Sequence, residues 1–183
     1  MSIIKHPNQR VGIFIDTQNL YHCAKNLYQA RVNFGAIIKE VLGGRQLIRA
    51  IAYMVTTESG EEKNFLEALG KMGIEIKTKD LQVYPGGFKK ADWDVGLAVD
   101  AIKLAGSLDT VVIVSGDGDF VPLVEYLKWH GRQVEVAAFG KSTSGRLKET
   151  ADDFLDLGHQ PRKFLLRPTR RAVNGDKTIN NSK

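Results

Sequence analysis

Three aspartates stand directly after two runs of apolar residues. Val111-Val112-Ile113-Val114 leads into Ser115-Gly116-Asp117-Gly118-Asp119-Phe120, and Val11 to Ile15 leads into Asp16-Thr17-Gln18-Asn19. Runs rich in β-branched residues and bounded by glycine read as buried strands of a parallel sheet. Open α/β sheets bind their ligands beyond the carboxyl ends of such strands, which is where Asp16, Asp117 and Asp119 fall. Three carboxylates on one sheet edge repel one another, and a cation relieves that repulsion.

A fourth carboxylate comes from Asp92-Trp93-Asp94-Val95-Gly96-Leu97. Apolar residues at 93, 97, 101 and 104 mark the buried face of a helix, and Asp94 sits in its first turn, where the helix dipole favours a negative charge. Asp100 lies about 120° further round that helix, better placed to pair with a lysine or to support the site than to share a cation with Asp94. Aspartates without histidine or thiolate company suit hard ions, Mg2+ or Mn2+, rather than zinc. Such ions activate water and stabilise charge on a phosphodiester under attack. Asn19 and Ser115 are placed to orient water or bind a phosphate oxygen. Helix capping is the plainer role for an aspartate; it is expected to account for one of Asp117 and Asp119, and not for Asp16.

These residues need a scaffold of alternating strands and helices. Strands are expected at 11–16, 47–55, 74–77, 111–114 and 134–139, with further short segments at 81–84 and 154–157. Helices are expected at 19–28, 34–42, from the capping-box pattern Ser59-Gly60-Glu61-Glu62 to Met72, at 93–104 with Asp92 as its cap, at 120–129 and at 145–150. The alternation implies an α/β fold, three-layered and Rossmann-like, with a central, mostly parallel sheet of about five strands flanked by helices.

The chain has 183 residues, 43% of them hydrophobic, and one cysteine. That is enough for a single domain with a real core, and Cys23 alone excludes an internal disulfide. Its formal charge of +5 divides unevenly: residues 161–183 contain seven basic residues and one acid, so the remainder sums to −1. The expected organisation is an extension over 1–10, a domain over 11–160 and a basic, flexible tail over 161–183 that includes Arg170 and Arg171. A basic arm on a near-neutral body suits a polyanion. Lys89, Lys90, Lys141, Arg146 and Lys148 are candidates for a basic rim around the acidic site. No membrane-span or leader pattern is evident, so the expected setting is cytoplasmic. Gly140-Lys141-Ser142 is not a P-loop, because Glu135 stands where its first glycine belongs. Trp93, Phe120, Tyr126 and Trp129 are expected in the core, while Tyr84 and Phe88 are better placed to stack on an unpaired base.

Taken in order, Phe14-Ile15-Asp16-Thr17-Gln18-Asn19-Leu20, Lys90-Ala91-Asp92-Trp93-Asp94-Val95 with Leu97 and Asp100, Val114-Ser115-Gly116-Asp117-Gly118-Asp119-Phe120, and Ser144 to Leu147 with Ala151-Asp152-Asp153-Phe154 resemble the NYN domain family in its bacterial LabA-like branch. The resemblance runs from about residue 10 to 158. It implies a PIN-like fold and metal-dependent ribonuclease activity. Asp16, Asp94, Asp117 and Asp119 would be metal-binding and catalytic, with Asn19 and Ser115 in support. Asp92 and Trp93 stand where the family commonly has small or glycine-flanked residues.

The functional expectation is a Mg2+- or Mn2+-dependent ribonuclease acting on single-stranded or structured RNA, with a homodimer admitted. The alternative is a regulatory protein that keeps the pocket, binds nucleic acid or a protein, and turns nothing over. A small-molecule phosphohydrolase ranks last, because Asp16 is followed by Thr17 and Gln18 rather than by the Asp-x-Asp pair.

Overall fold

The computed structural model describes residues 3–56, 63–80, 82–83, 89–90 and 92–166. In chain order these form β1 (Arg10–Asp16), α1 (Thr17–Tyr28), β2 (Arg31–Val32), α2 (Phe34–Leu42), β3 (Gln46–Thr56), α3 (Lys63–Lys71), β4 (Glu75–Asp80), β5 (Gln82–Val83) and β6 (Lys89–Lys90). They continue as α4 (Asp94–Ala105), β7 (Thr110–Val114), α5 (Val121–Trp129), β8 (Gln133–Ala138), α6 (Gly145–Thr150), β9 (Asp153–Asp156), α7 (Pro161–Phe164) and β10 (Leu165–Leu166).

The main sheet has six strands in the order β4-β3-β1-β7-β8-β9, and every neighbouring pair is parallel. The strand beyond the expected five is β9, the edge segment anticipated near Phe154, which pairs with β8. The segment expected at 81–84 does not join this sheet: β5 pairs antiparallel with β6 in a separate ribbon. Helices cover both faces, which is why β1 and β7 read as unbroken apolar runs. Ile13 and Ile15 of β1 pack with Leu20, Ala24 and Ile37 of α1 and α2. Phe14 points the other way, to Leu97 of α4 and Val124 of α5. A fully buried side chain such as Phe14 contributes about 1.5–3 kcal/mol, so each layer is secured from both sides of the sheet.

Strand order reverses between β1 and β7. From β1 the chain builds outward to β3 and β4, then returns and builds the other way through β8 and β9. The crevice between the two directions is where such sheets take ligands.

Three local expectations differ. Asp92 does not cap α4; Trp93 takes the cap position without a side-chain cap bond, and its indole Nε1 donates to the Met54 carbonyl at 2.9 Å. Residues 161–166 belong to the folded body: Phe164 is buried, and Leu165 and Leu166 pair antiparallel with Val32 and Arg31. Two apolar residues in that stretch outweigh the charge of Arg162 and Lys163. The N-terminal segment is tied down as well, since Lys5 pairs with Asp153 and with the buried Glu135. The capping box at 59–62 and the tail from 167 lie outside the described residues. No helix among the described residues is long and apolar enough to cross a membrane.

Candidate metal centre

The register of β1 and β7 sets Ile15 beside Val114, which brings the next residues, Asp16 and Ser115, side by side. The Ser115 hydroxyl, fully buried, donates to Asp16 Oδ2 at 3.0 Å and accepts from the Asp117 N–H at 3.2 Å. Asp16 Oδ1 accepts from the Asn19 N–H at 3.0 Å, capping α1. Asn19 reaches across in turn, its Oδ1 accepting from the Gly116 N–H at 3.0 Å. Asp117 caps the short turn Gly118–Phe120, accepting from the Asp119 N–H at 3.0 Å. Capping therefore accounts for Asp16 as well as Asp117, contrary to the expectation for Asp16. Each cap uses only part of a carboxylate's acceptor capacity, which is about four lone-pair sites.

The two glycines of Ser115-Gly116-Asp117-Gly118-Asp119 make room for the loop before α6. A Cβ on Gly116 would lie 2.9 Å from the Thr143 hydroxyl, and one on Gly118 would lie 3.0 Å from that of Ser144. The Ser144 N–H donates to the Gly116 carbonyl at 3.0 Å, sealing the contact. The loop after β7 is thereby held between α1 on one side and residues 143–144 on the other.

Asp94 arrives from α4. One carboxylate oxygen from each of Asp94, Asp117 and Asp119 lies within 4.8 Å of the others. Asp94 is pushed up to about 6, first by desolvation and then by the charges of Asp16, Asp117, Asp92 and Asp119. Asp16 is raised as well, mainly by burial, against the downward pull of its hydrogen bonds from Asn19 and Ser115. Among the described residues no lysine or arginine pairs with Asp16, Asp94, Asp117 or Asp119. An all-carboxylate donor set with excess negative charge and no histidine or cysteine fits a hard divalent cation. The centre is an acidic triad able to bind metal, with Asp16 adjoining it.

Asp100 is placed elsewhere. It accepts from the Tyr53 hydroxyl at 2.8 Å and pairs with Lys77 at 2.7 Å; against the upward push of burial, Lys77 and Tyr53 together hold it below the usual carboxylate range. Of the basic candidates, Lys141 is exposed on the loop leading to Thr143. Arg146 pairs with Glu125, and Lys148 donates to the Gly140 carbonyl at 2.6 Å. Lys89 and Lys90 form β6, of whose side chains nothing is described. Tyr84, Phe88, Arg170 and Arg171 lie outside the described residues.

Tyr126 and Trp129, expected in the core with Phe120, are instead 42% and 89% exposed; Phe120 is buried. Tyr126 lines a groove that opens at the acid cluster. The signal was present in the sequence: Val95, Ala98 and Ile102 form a second apolar stripe on α4, beside the buried stripe of Leu97, Ala101 and Ala105.

Compared with known proteins, residues 10–158 match the NYN domain family. The chain is 24% identical over 172 residues to the low amplitude and bright protein LabA of Synechococcus elongatus, covering 88% of this chain and 90% of that protein. It is 30% identical over 97 residues to the uncharacterized protein MJ0482 of Methanocaldococcus jannaschii, covering 52% of this chain and 36% of that one. In three dimensions it is similar to the protein of unknown function VPA0982 from Vibrio parahaemolyticus. That match has a TM-score of 0.80 and 29% identity, and it covers 90% of this chain and all of the other.

Proposed function

This chain belongs to the NYN domain family, within the PIN-like nuclease superfamily, and from that premise we propose that it is a divalent-metal-dependent ribonuclease of the cytoplasm, hydrolysing RNA phosphodiester bonds. The observation that carries the reading is the placement of Asp94 and Asp119. Capping explains Asp16 and Asp117 in any protein of this shape. Among the described residues, nothing donates to the Asp94 or Asp119 carboxylates, yet both stand with Asp117 in one group. Uncompensated like charges held together cost stability, and a cation-dependent activity is the reason to retain them.

In this reading Asp94, Asp117 and Asp119 hold Mg2+ or Mn2+, with Asp16 behind them. Bound there, such an ion supplies Lewis-acid activation of water and stabilises charge on the phosphoryl oxygens. The chain's own residues do the positioning. Ser115 ties the Asp16 carboxylate to the Asp117 backbone, linking the ends of β1 and β7. Asn19 fixes the loop at Gly116. Asp94, half-buried on the first turn of α4, brings its charge from the opposite wall. Lys141, with Lys89, Lys90 and the tail residues Arg170 and Arg171, supplies positive charge for the RNA backbone.

The test is incubation of the full chain with a labelled single-stranded RNA and its DNA counterpart in Mn2+, Mg2+ or EDTA, alongside Asp117→Asn. Asparagine caps a helix as well as aspartate does, so the variant is expected to fold but not to cleave. Metal-dependent cleavage lost in Asp117→Asn is the expected result. Binding without cleavage under every metal condition would replace the enzyme with a regulatory binding protein. Full activity in Asp117→Asn would refute the site.

A further inference from the structure

Between α4 and α5 runs a groove of about 530 Å³ that begins at the acid cluster. Asp94 and Asp119 line it together with Asp92, so the groove and the cluster share two carboxylates. Away from these carboxylates the walls are apolar, with Val95 and Ile102 from α4 facing Pro122 and Tyr126 from α5. This surface is accessible: Val95 is 74% exposed and Ile102 40%. Tyr126 is also set in place. Its ring packs against that of His130, with centroids 4.1 Å apart, and His130 Nδ1 lies 2.8 Å from the Tyr126 carbonyl.

The lining decides what fits. Among the described residues it holds no cationic side chain and its charged members are Asp92, Asp94 and Asp119, so a phosphate moved in against these walls would meet negative charge. A flat group with an apolar face would meet Val95, Ile102, Pro122 and the Tyr126 ring. In a polynucleotide whose phosphate is held at the cluster, the neighbouring group of that description is a nucleobase. The volume falls in the range of pockets that bury a small organic ligand, about 300–1,000 Å³.

We infer that the groove between α4 and α5 is a subsite for an unpaired nucleobase adjoining the phosphate at the acid cluster, with Tyr126 as its stacking wall. The inference rests on the ribonuclease reading and narrows its substrate. A base can enter only if it is out of a duplex stack, so cleavage favours single strands. Stacking and apolar contact are indifferent to base identity, so the groove admits every base.

The experiment uses the full chain and two short single-stranded RNAs. One carries 2-aminopurine, whose fluorescence is quenched on stacking, stepped through the positions flanking the cleaved bond. The other carries abasic sites at the same positions. Binding is measured in Ca2+, and cleavage in Mn2+, for wild type, Tyr126→Ala, Tyr126→Phe and Ile102→Glu. The expected result is quenching at one position beside the cleaved bond. Removing the base there, or replacing Tyr126 with alanine, should weaken binding about tenfold, the scale of one lost base–aromatic stack; Tyr126→Phe should stay within about twofold. Because the abasic arm uses the wild-type protein, it decides the question even if a variant folds poorly.

Cleavage that proceeds normally in Tyr126→Ala and Ile102→Glu, with no position sensitive to base removal, would overturn the subsite and leave the nuclease standing. Absence of both binding and cleavage in wild type would overturn both. A wild-type dimer that Ile102→Glu splits into monomers, with RNA affinity unchanged, would assign the groove to contact between copies of the chain and overturn the subsite.

Discussion

Replacing Asp94 by asparagine should stabilise the metal-free protein at alkaline pH and leave it unchanged in acid. Asp94 titrates at about 6 in the fold against an ordinary 3.8. Well below pH 3.8 the carboxyl is neutral in both folded and unfolded chains and there is no penalty, and at pH 4 only a small part of it has developed. As pH rises toward 6 the unfolded chain releases its proton first, so the penalty on the fold grows and is complete above 6. At 1.36 kcal/mol per pH unit the ceiling is about 3 kcal/mol. Asp94 is only half-buried, and solvent screening cuts that to about 1.5 kcal/mol. The helix dipole, which favours an ionised residue in the first turn, returns about 0.3–1 kcal/mol. Desolvation and the neighbouring carboxylates therefore win by about 0.5–1 kcal/mol. For a chain of this size that raises Tm by about 1–4 °C. Thermal unfolding of both proteins in EDTA at pH 4 and pH 8 measures it. Adding Mg2+ or Mn2+ at pH 8 should reverse the order, because wild type gains about 2.7 kcal/mol at a hundredfold excess over Kd and the variant gains less. A variant less stable than wild type by the same margin at both pH values, with or without metal, would refute the reasoning. Asp94 would then be a structural residue of α4.

Two further substitutions probe how the carboxylates are held. Ser115→Ala removes a buried hydroxyl that serves both Asp16 and the Asp117 N–H; it should cost about 1–3 kcal/mol in denaturant unfolding and weaken metal affinity about 10- to 100-fold in calorimetric titration. Gly96→Ala would place its Cβ 2.5 Å from the Trp93 ring, which is anchored through Met54 and cannot retreat; it should cost about 1–3 kcal/mol, and much less in a Trp93→Ala background. Equal costs in the two backgrounds would show that Trp93 does not set the geometry of the first turn of α4.

The parts of this molecule legible in the sequence are those fixed by local pattern. The apolar runs of β1 and β7 give the strands, and the position of a strand's end gives Asp16 and Asp117. What pattern could not give is what a side chain finds across space. Tyr126 has helical spacing suited to a core, but it lines the open groove between α4 and α5 and stays 42% exposed. Asp92 resembles a cap, yet Trp93 is drawn to the Met54 carbonyl and occupies the cap position. Arg162 and Lys163 resemble the start of a solvated tail, while Phe164 and Leu165 between them dock the chain beside β2.

The capping aspartates show why local reasoning stops short of function. Asp16 and Asp117 each close the first turn after a strand, and the fold needs an aspartate, asparagine or serine there for that purpose alone. One hydrogen bond satisfies that need and leaves acceptor capacity over, which at Asp16 is partly taken by Ser115. Two caps on neighbouring strands thus bring two anions to the same place, at the cost of burying Asp16 and of their mutual repulsion. Asp94 and Asp119 turn this arrangement into a ligand set, because neither side chain makes a cap hydrogen bond in return for the charge it adds. A version of this fold freed from cation chemistry would keep Asp16 and Asp117, or replace them by asparagine, and would lose Asp94 and Asp119 first.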